Sequence, residues 1–285
     1  MAFEFHAPPS LDAAIALARR HGEEARFIAG GTDLVIQIKR KRVAPQHLIS
    51  LAGLGLDTIR ESHSEFAIGA TATHNDVVFH PAFQKELLAL TEASAVVGGR
   101  QIRNVGTVGG NIVNASPAAD LVPVLLALDA VVDLTGSDGT RSVPIDDFLL
   151  DRGRTDRCGD EVLTAVRFAK PPVASATAFL KGGRRKAMEI SVVCVAAHLV
   201  ANGKGYAKAR IAIGAAASRS FRARAAETLL ADGGAFAEAG RLAAEATAPI
   251  DDVRASARYR RLLVAALVER ALARCRERLP CPSLP

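Results

Sequence analysis

Two double-glycine segments hold the residues of this chain best suited to chemistry: Ala29-Gly30-Gly31-Thr32-Asp33-Leu34 and Thr107-Val108-Gly109-Gly110-Asn111. Glycine lets a backbone approach a ligand closely and adopt positive φ without steric cost. Successive N–H groups in such turns form concave anion sites. Two such sites suit one large ligand with a charged centre, such as a diphosphate between two ring systems. Neither segment contains G-x-G-x-x-G, and G-x-x-x-x-G-K-[ST] is absent from the chain, so the Rossmann and P-loop readings both fail. Behind the second segment, Asn111-Ile112-Val113-Asn114-Ala115-Ser116-Pro117-Ala118-Ala119-Asp120 keeps polar side chains close to the turn, as binding loops do.

Other candidates lack partners in the sequence. His6, His21, His47, His63 and His80 are scattered, His74 follows Thr73 at a helix start with no partner for general-base work, and His198 reads as a core histidine of an apolar strand. Cys158, Cys194, Cys275 and Cys281 form neither C-x-x-C nor the plant-type cluster spacing, so unpaired thiols and no metal ligands are expected. Ser116 lies in no G-x-S-x-G elbow. A carboxylate at Asp33 would repel a diphosphate, so Asp33 is expected to cap the following helix or to accept a hydroxyl. The reaction chemistry is thus left to a cofactor, with the protein supplying binding and electrostatics.

The elements that must position these turns can be read in outline. Ser10 caps a helix over 11–21, and 26–29 is a strand that feeds the first glycine turn and a short helix, Leu34 to Lys39. A helix start there favours anions. Strands are expected at 47–50, 58–60 and 65–70, a helix capped by Thr73, and another from Pro81 to about Val97. Five glycines between Gly98 and Asn111 exclude a helix interior there. A buried helix over 120–128, a hairpin over 130–143 and a strand over 161–168 follow. Beyond Lys170-Pro171-Pro172, three strands (176–181, 192–201, 207–215) precede Ala/Arg/Glu-rich helices ending near Arg278. Strands followed by segregated helices argue an α+β domain.

Composition narrows the class. The chain has 285 residues, 49% hydrophobic and 23% charged, enough for about two domains with a sizeable core. Trp is absent and only two Tyr occur, which argues against a nucleic-acid surface of stacked aromatics. Net charge is +6, with basic clusters at Lys39-Arg40-Lys41-Arg42 and Arg184-Arg185-Lys186 that read as solvated faces or partner contacts. No signal peptide and no membrane span are expected, and the localisation reads as cytoplasmic.

Taken together, Ala29-Gly30-Gly31-Thr32-Asp33-Leu34, the run from Gln101 to Ile112 and Ala118-Ala119-Asp120-Leu121-Val122-Pro123 resemble the FAD-binding medium subunit of the molybdenum hydroxylases, the xanthine dehydrogenase / carbon monoxide dehydrogenase family. The likeness runs over nearly the whole chain and includes 161–168 and Phe179-Leu180-Lys181 with Arg185. It implies an α+β protein: two FAD-binding subdomains of vanillyl-alcohol-oxidase type, residues 1–54 and 55–172, and a C-terminal domain of antiparallel sheet and helices, residues 173–285. It also implies roles. Backbone from Ile28 and Ala29 through Gly30, Gly31, Thr32 and Asp33 to Leu34 would hold a noncovalent FAD diphosphate from one side, and Thr107, Gly109, Gly110 and Asn111 from the other. Asp120 would bond a hydroxyl of the flavin's chain or ribose, Leu163 would pack on a ring, Lys181 would approach a flavin carbonyl, and Val97 would touch the ring system.

The resemblance further implies a division of labour. A large partner subunit would hold the molybdenum cofactor, a small one two [2Fe–2S] clusters, and the assembly would be a heterotrimer or a dimer of heterotrimers. Electrons would leave to NAD⁺, oxygen or another acceptor. Two rival readings stay open at this point: a stand-alone flavin oxidase of related fold, and an assembly or binding protein without FAD.

Overall fold

In the computed structural model of the protein, residues 3–185, 188–203 and 205–280 are described. Lys186, Cys281 and the chain end that follows lie outside them. Strand β1 (Glu4–His6), helix α1 (Leu11–His21), β2 (Ala25–Ile28), α2 (Leu34–Lys39) and β3 (His47–Ser50) form the first layer. Its three strands run parallel in the order β1-β3-β2, with Leu48 and Ile49 of the central strand buried. α1 begins where the Ser10 hydroxyl accepts the N–H of Ala13, and it lays Ala14, Ile15 and Ala18 on the sheet. This βαβ crossover delivers β2 to the first glycine turn.

The second layer is a five-stranded sheet. β4 (Ile59–Glu61) and β5 (Glu65–Gly69) precede helices α3 (His74–Phe79), α4 (Pro81–Glu86), α5 (Leu88–Ala95), α6 (Arg100–Arg103), α7 (Val108–Val113) and α8 (Leu121–Ala127). β6 (Val131–Gly136) and β7 (Gly139–Pro144) make a hairpin, and after the short α9 (Ile145–Phe148), β8 (Leu149–Asp151) and β9 (Arg154–Thr155), β10 (Val162–Ala169) closes the sheet in the order β4-β5-β10-β6-β7. Thr73 caps α3 through a full capping box with Asp76. The helix expected from Pro81 to about Val97 is broken at Leu87, whose φ of −133° and ψ of 50° leave the helical region and separate α4 from α5.

The glycine-dense stretch also departs from expectation: α7 contains Gly109 and Gly110. About 1 kcal/mol is lost per helical glycine, but the Thr107 hydroxyl accepts the Gly110 N–H, and the Gly109 N–H bonds the Ala70 carbonyl at 2.8 Å. A Cβ on Gly109 would meet that carbonyl oxygen at 2.7 Å. Close contact with Ala70, which only glycine allows, keeps this turn in place.

The third layer holds β11 (Ser175–Gly182), β12 (Val193–Ala201), β13 (Tyr206–Gly214) and β14 (Phe221–Arg222), antiparallel in that order, then α10 (Arg224–Ala231), α11 (Phe236–Glu245) and α12 (Ala257–Arg278). β12 reads as a continuous apolar run because both its faces are covered. Val193, Val195 and Ala197 join the core under α10–α12, while Cys194 and Ala196 join the core of the second layer. The fully buried α8 lies against this second face.

Two buried histidines make a testable consequence. His198 of β12 has Nδ1 3.3 Å from the Ala127 carbonyl oxygen, and burial lowers its pKa to about 4. Burial, then the charge of Arg103, lowers His74 to about 4 as well. An unfolded chain therefore binds more protons than the folded one between about pH 4 and 6.5, so stability falls as pH drops through that window. Each histidine contributes up to about 1.4 kcal/mol per pH unit there. The urea midpoint is expected to fall between pH 6.5 and 5, less steeply in His198→Gln. An unchanged slope in that variant would rule this account out.

Candidate functional site

The first glycine turn is built by the exit of β2 and the entry of α2. Gly31 takes φ of +68°, and a Cβ on Gly30 would lie 1.7 Å from the Val105 carbonyl oxygen. The first glycine turn therefore touches, backbone to backbone, the loop at Val105 and Gly106 that leads into the second. Among the described residues, the N–H groups of Gly30, Gly31, Thr32, Asp33 and Leu34 have no hydrogen-bond acceptor. Five consecutive unpaired donors at a helix start are a strong anion site.

The second turn differs. Among Val105 to Asn111, every N–H but that of Thr107 is taken by the protein: by Ile102, Ala72, Ala70 and Thr107 itself. Its glycines fit the loop to its neighbours, and its contribution to a ligand comes from other groups. The Asn111 Oδ1 is buried without a partner among the described residues. The space around Gly110 is open, since a Cβ there would meet only Thr107 Oγ1, at 2.8 Å.

Asp33 does not cap α2: it has helical φ and ψ, and no side-chain cap bond forms. An N-cap needs extended backbone to turn its side chain onto the next N–H groups. Neighbouring protein desolvates the carboxyl and raises its pKa, against a hydrogen bond from Asn114. Asn114 lies three residues after Asn111, so helical spacing puts both near one face of α7.

The expected residues gather around two spaces. Ala29, Gly109, Gly110 and Leu163 line a cavity of about 180 Å³, with Phe27 and Val162 among its apolar walls. Asp33 lines a cleft of about 580 Å³ with Asn114, Ser116, Ser191, Arg152 and Arg254. The first turn runs from one space to the other, with Ile28 behind it at the end of β2, where its carbonyl accepts the Leu51 N–H. Val97 follows α5, and its carbonyl accepts from Arg103.

Asp120 and Lys181 meet at the far end. Lys181 Nζ donates to Asp120 Oδ2 at 2.7 Å, to the Glu189 carbonyl at 2.7 Å and to the Val96 carbonyl at 3.4 Å. The Ser191 hydroxyl donates to Asp120 Oδ1. Burial raises the Asp120 pKa, and Lys181 and Ser191 oppose that rise. Lys181 lines a further cleft of about 560 Å³ with Val96, Gly98 and Arg103, so this cluster sits between two clefts. Asn114 and Ser191 were not singled out from sequence. Helical spacing from Asn111 could have found the first, but Ser191 gave no local signal, being carried in by the start of β12.

Residues 1–171 match the model of the FAD binding domain in molybdopterin dehydrogenase, and 178–275 that of the CO dehydrogenase flavoprotein C-terminal domain. The carbon monoxide dehydrogenase medium chain of Afipia carboxidovorans is 32% identical over 97% of each chain. A putative xanthine dehydrogenase FAD-binding subunit of Escherichia coli K12 is 35% identical over 72% of this chain and 71% of that one. A chain in the structure of carbon monoxide dehydrogenase from Hydrogenophaga pseudoflava superposes with a TM-score of 0.94 at 31% identity, covering 98% of this chain and 99% of that one.

Proposed function

The chain belongs to the FAD-binding medium subunits of the molybdenum hydroxylases, the carbon monoxide and xanthine dehydrogenase family, and on that premise we propose that it is the FAD-carrying electron-transfer subunit of such an enzyme. The observation that carries the proposal is the run of five unpaired N–H groups from Gly30 to Leu34, between an apolar cavity and a polar cleft. A diphosphate with a ring system on either side matches that layout. The residues present fit FAD: the turn would donate to the diphosphate, the buried Asn111 Oδ1 would accept from a hydroxyl or N–H of the ligand, and open space at Gly110 would admit the ligand. Leu163 would pack on one ring. Asp120 and Lys181 would meet the other end, with Val97 nearby.

The chemistry supplied by bound FAD is electron exchange between [2Fe–2S] clusters of a small partner subunit and NAD⁺ or another acceptor. This chain's own part is to hold and orient. The turn neutralises diphosphate charge with oriented dipoles. Lys181, held by Asp120 and by the Glu189 and Val96 carbonyls, would present its ammonium toward the ring system and would favour negative charge there. Asp120 holds Lys181 in position and keeps a carboxylate near ligand hydroxyls. A large subunit with the molybdenum cofactor would carry out substrate hydroxylation, in a cytoplasmic heterotrimer or dimer of heterotrimers. Among the described residues, no helix is long and apolar enough to cross a membrane.

The test is purification of the native complex with assay of molybdenum, iron and FAD, followed by acid precipitation. FAD released into the supernatant, with molybdenum and iron in the same particle, is the expected result. Flavin retained in the pellet would mean a covalent tether and a separate oxidase. A purified chain that stays colourless after incubation with FAD would mean that the cofactor site is lost.

A further inference from the structure

Three histidines that look scattered in sequence converge at the edge of the first layer. His6 ends β1, His47 begins β3, and His21 is the last residue of α1. Parallel pairing aligns Glu4 with His47 and His6 with Ile49, which sets His6 and His47 two positions apart along neighbouring strands. His6 Nε2 lies 3.1 Å from His47 Nδ1. The His21 ring stacks on that of His47 at 3.6 Å between centroids. One ring nitrogen from each of the three falls within 4.8 Å of the others. The Glu4 carboxylate lies beside this group of three, 3.4 Å from His47 Nδ1 and 3.8 Å from His6 Nδ1, the ring nitrogen that faces away from His47 being Nδ1 of His6.

The geometry points to a binding site for a divalent transition-metal ion of the zinc class, with three imidazoles and the Glu4 carboxylate as ligands. Imidazole nitrogen with one carboxylate oxygen is a donor set that zinc-class ions favour over magnesium or calcium. Zinc–nitrogen bonds of about 2.0–2.1 Å place tetrahedral ligand atoms about 3.3 Å apart. The His6–His47 pair already stands at that spacing, and the His21 ring needs to close by about 1.5 Å at most. The C-terminal end of α1 adds a partial negative charge beside His21, which favours a cation. Arg20, the preceding residue, opposes it, and the Glu4 carboxylate beside His47 adds negative charge. His6 and His47 side chains keep about 15% of their surface exposed, which leaves an entry path from solvent.

The role that follows is structural. A bound ion would tie β1, α1 and the start of β3 together, at the end of the layer opposite the first glycine turn. β2 separates the two sites, roughly 10 Å at 3.3 Å per residue. The ion is therefore a clamp on the layer that carries the turn and takes no part in the cofactor site.

The experiment uses the full chain without an affinity tag, stripped with chelator, and titrated with Zn²⁺ by calorimetry. Co²⁺ is titrated in parallel, read by its visible absorption. One equivalent per chain is expected, with intense tetrahedral Co²⁺ bands and a higher melting temperature with Zn²⁺. His21→Ala changes only the last residue of a helix and should keep the fold, checked by circular dichroism. It is expected to weaken Zn²⁺ binding by at least about 10-fold, the size that even outer-sphere changes produce. His47→Asn should do the same, and His63→Ala, outside the cluster, should change nothing. No stoichiometric binding to the wild-type chain, or binding that survives His21→Ala and His47→Asn unchanged, overturns the site.

Discussion

Gly110→Val is expected to abolish FAD retention while leaving the fold intact, whereas Gly30→Ala in the other turn is expected to fail through the fold itself. The two glycines serve different neighbours. A side chain at Gly110 meets only the Thr107 hydroxyl oxygen, which must rotate and give up its bond to the Gly110 N–H. Loss of such a cap costs about 1 kcal/mol, and valine recovers part of it as a better helix former than glycine. The same isopropyl group fills the space beside Asn111 that the ligand must use. Overpacking of about 1–3 kcal/mol weakens binding by roughly 5- to 150-fold at 1.4 kcal/mol per tenfold. FAD is then lost on gel filtration, with unchanged helix content by circular dichroism.

At Gly30 no ligand is needed to explain the glycine. Its Cβ would sit 1.7 Å from the Val105 carbonyl oxygen and 2.5 Å from the carbon, and neither can rotate away. The turn and the loop must separate, at a cost of about 3 kcal/mol or more. The expected readout is a lower urea midpoint in chain freed of FAD, where Gly110→Val stays close to wild type. Equal stability losses in the two variants, or unchanged FAD affinity in Gly110→Val, would contradict the division of roles drawn here.

The strand, turn and helix around Gly30 are legible in the sequence because local signals agree: an apolar strand, two glycines, then an apolar helix. The capping roles of Ser10 and Thr73 are legible for the same reason, since the acceptor and the N–H it serves are three residues apart. Gly109 and Gly110 mislead, because propensity argues against a helix that a tertiary contact with Ala70 and a cap from Thr107 impose. Asp33 misleads in the other direction: a favoured cap residue is present, but its backbone is already helical. What sequence hides altogether is convergence between distant elements. His6, His21 and His47 become neighbours only through the parallel pairing of β1 with β3 and the return of α1. Ser191 reaches Asp120 only because β11 and β12 pair beside α8. No local rule carries that information, because the spacing is set by the path of the backbone and not by the residues between.

The second large effect is expected at the Asp120–Lys181 pair, where one substitution should cost far more than two. Both side chains are buried, Lys181 with 13% and Asp120 with 7% of its surface exposed, and their charged atoms lie 2.7 Å apart. Asp120→Ala leaves the Lys181 ammonium with only the Glu189 and Val96 carbonyls as partners. Removing one member of a buried pair typically costs about 3–5 kcal/mol, because the remaining charge stays desolvated and uncompensated. Lys181→Met exposes the opposite fault. Burial already raises the Asp120 pKa, and Lys181 is the largest influence holding it down. Without that ammonium the carboxyl rises further, so the folded variant binds more protons than the unfolded chain above the ordinary aspartate pKa of about 4. Its stability should therefore fall as pH increases from there, a trend opposite in sign to the one set by His74 and His198. The double variant Asp120→Leu/Lys181→Met removes both charges and is expected to recover most of the loss, as replacement of buried pairs by apolar residues often does. It should still fail to retain FAD, since the hydroxyl acceptor and the ammonium beside the ring site are both gone. Urea unfolding of the two single variants and the double variant, with FAD titration of each, separates the two roles. Additive stability losses would mean that the pair does not act as a unit, and tight FAD binding by the double variant would remove Asp120 and Lys181 from the cofactor site.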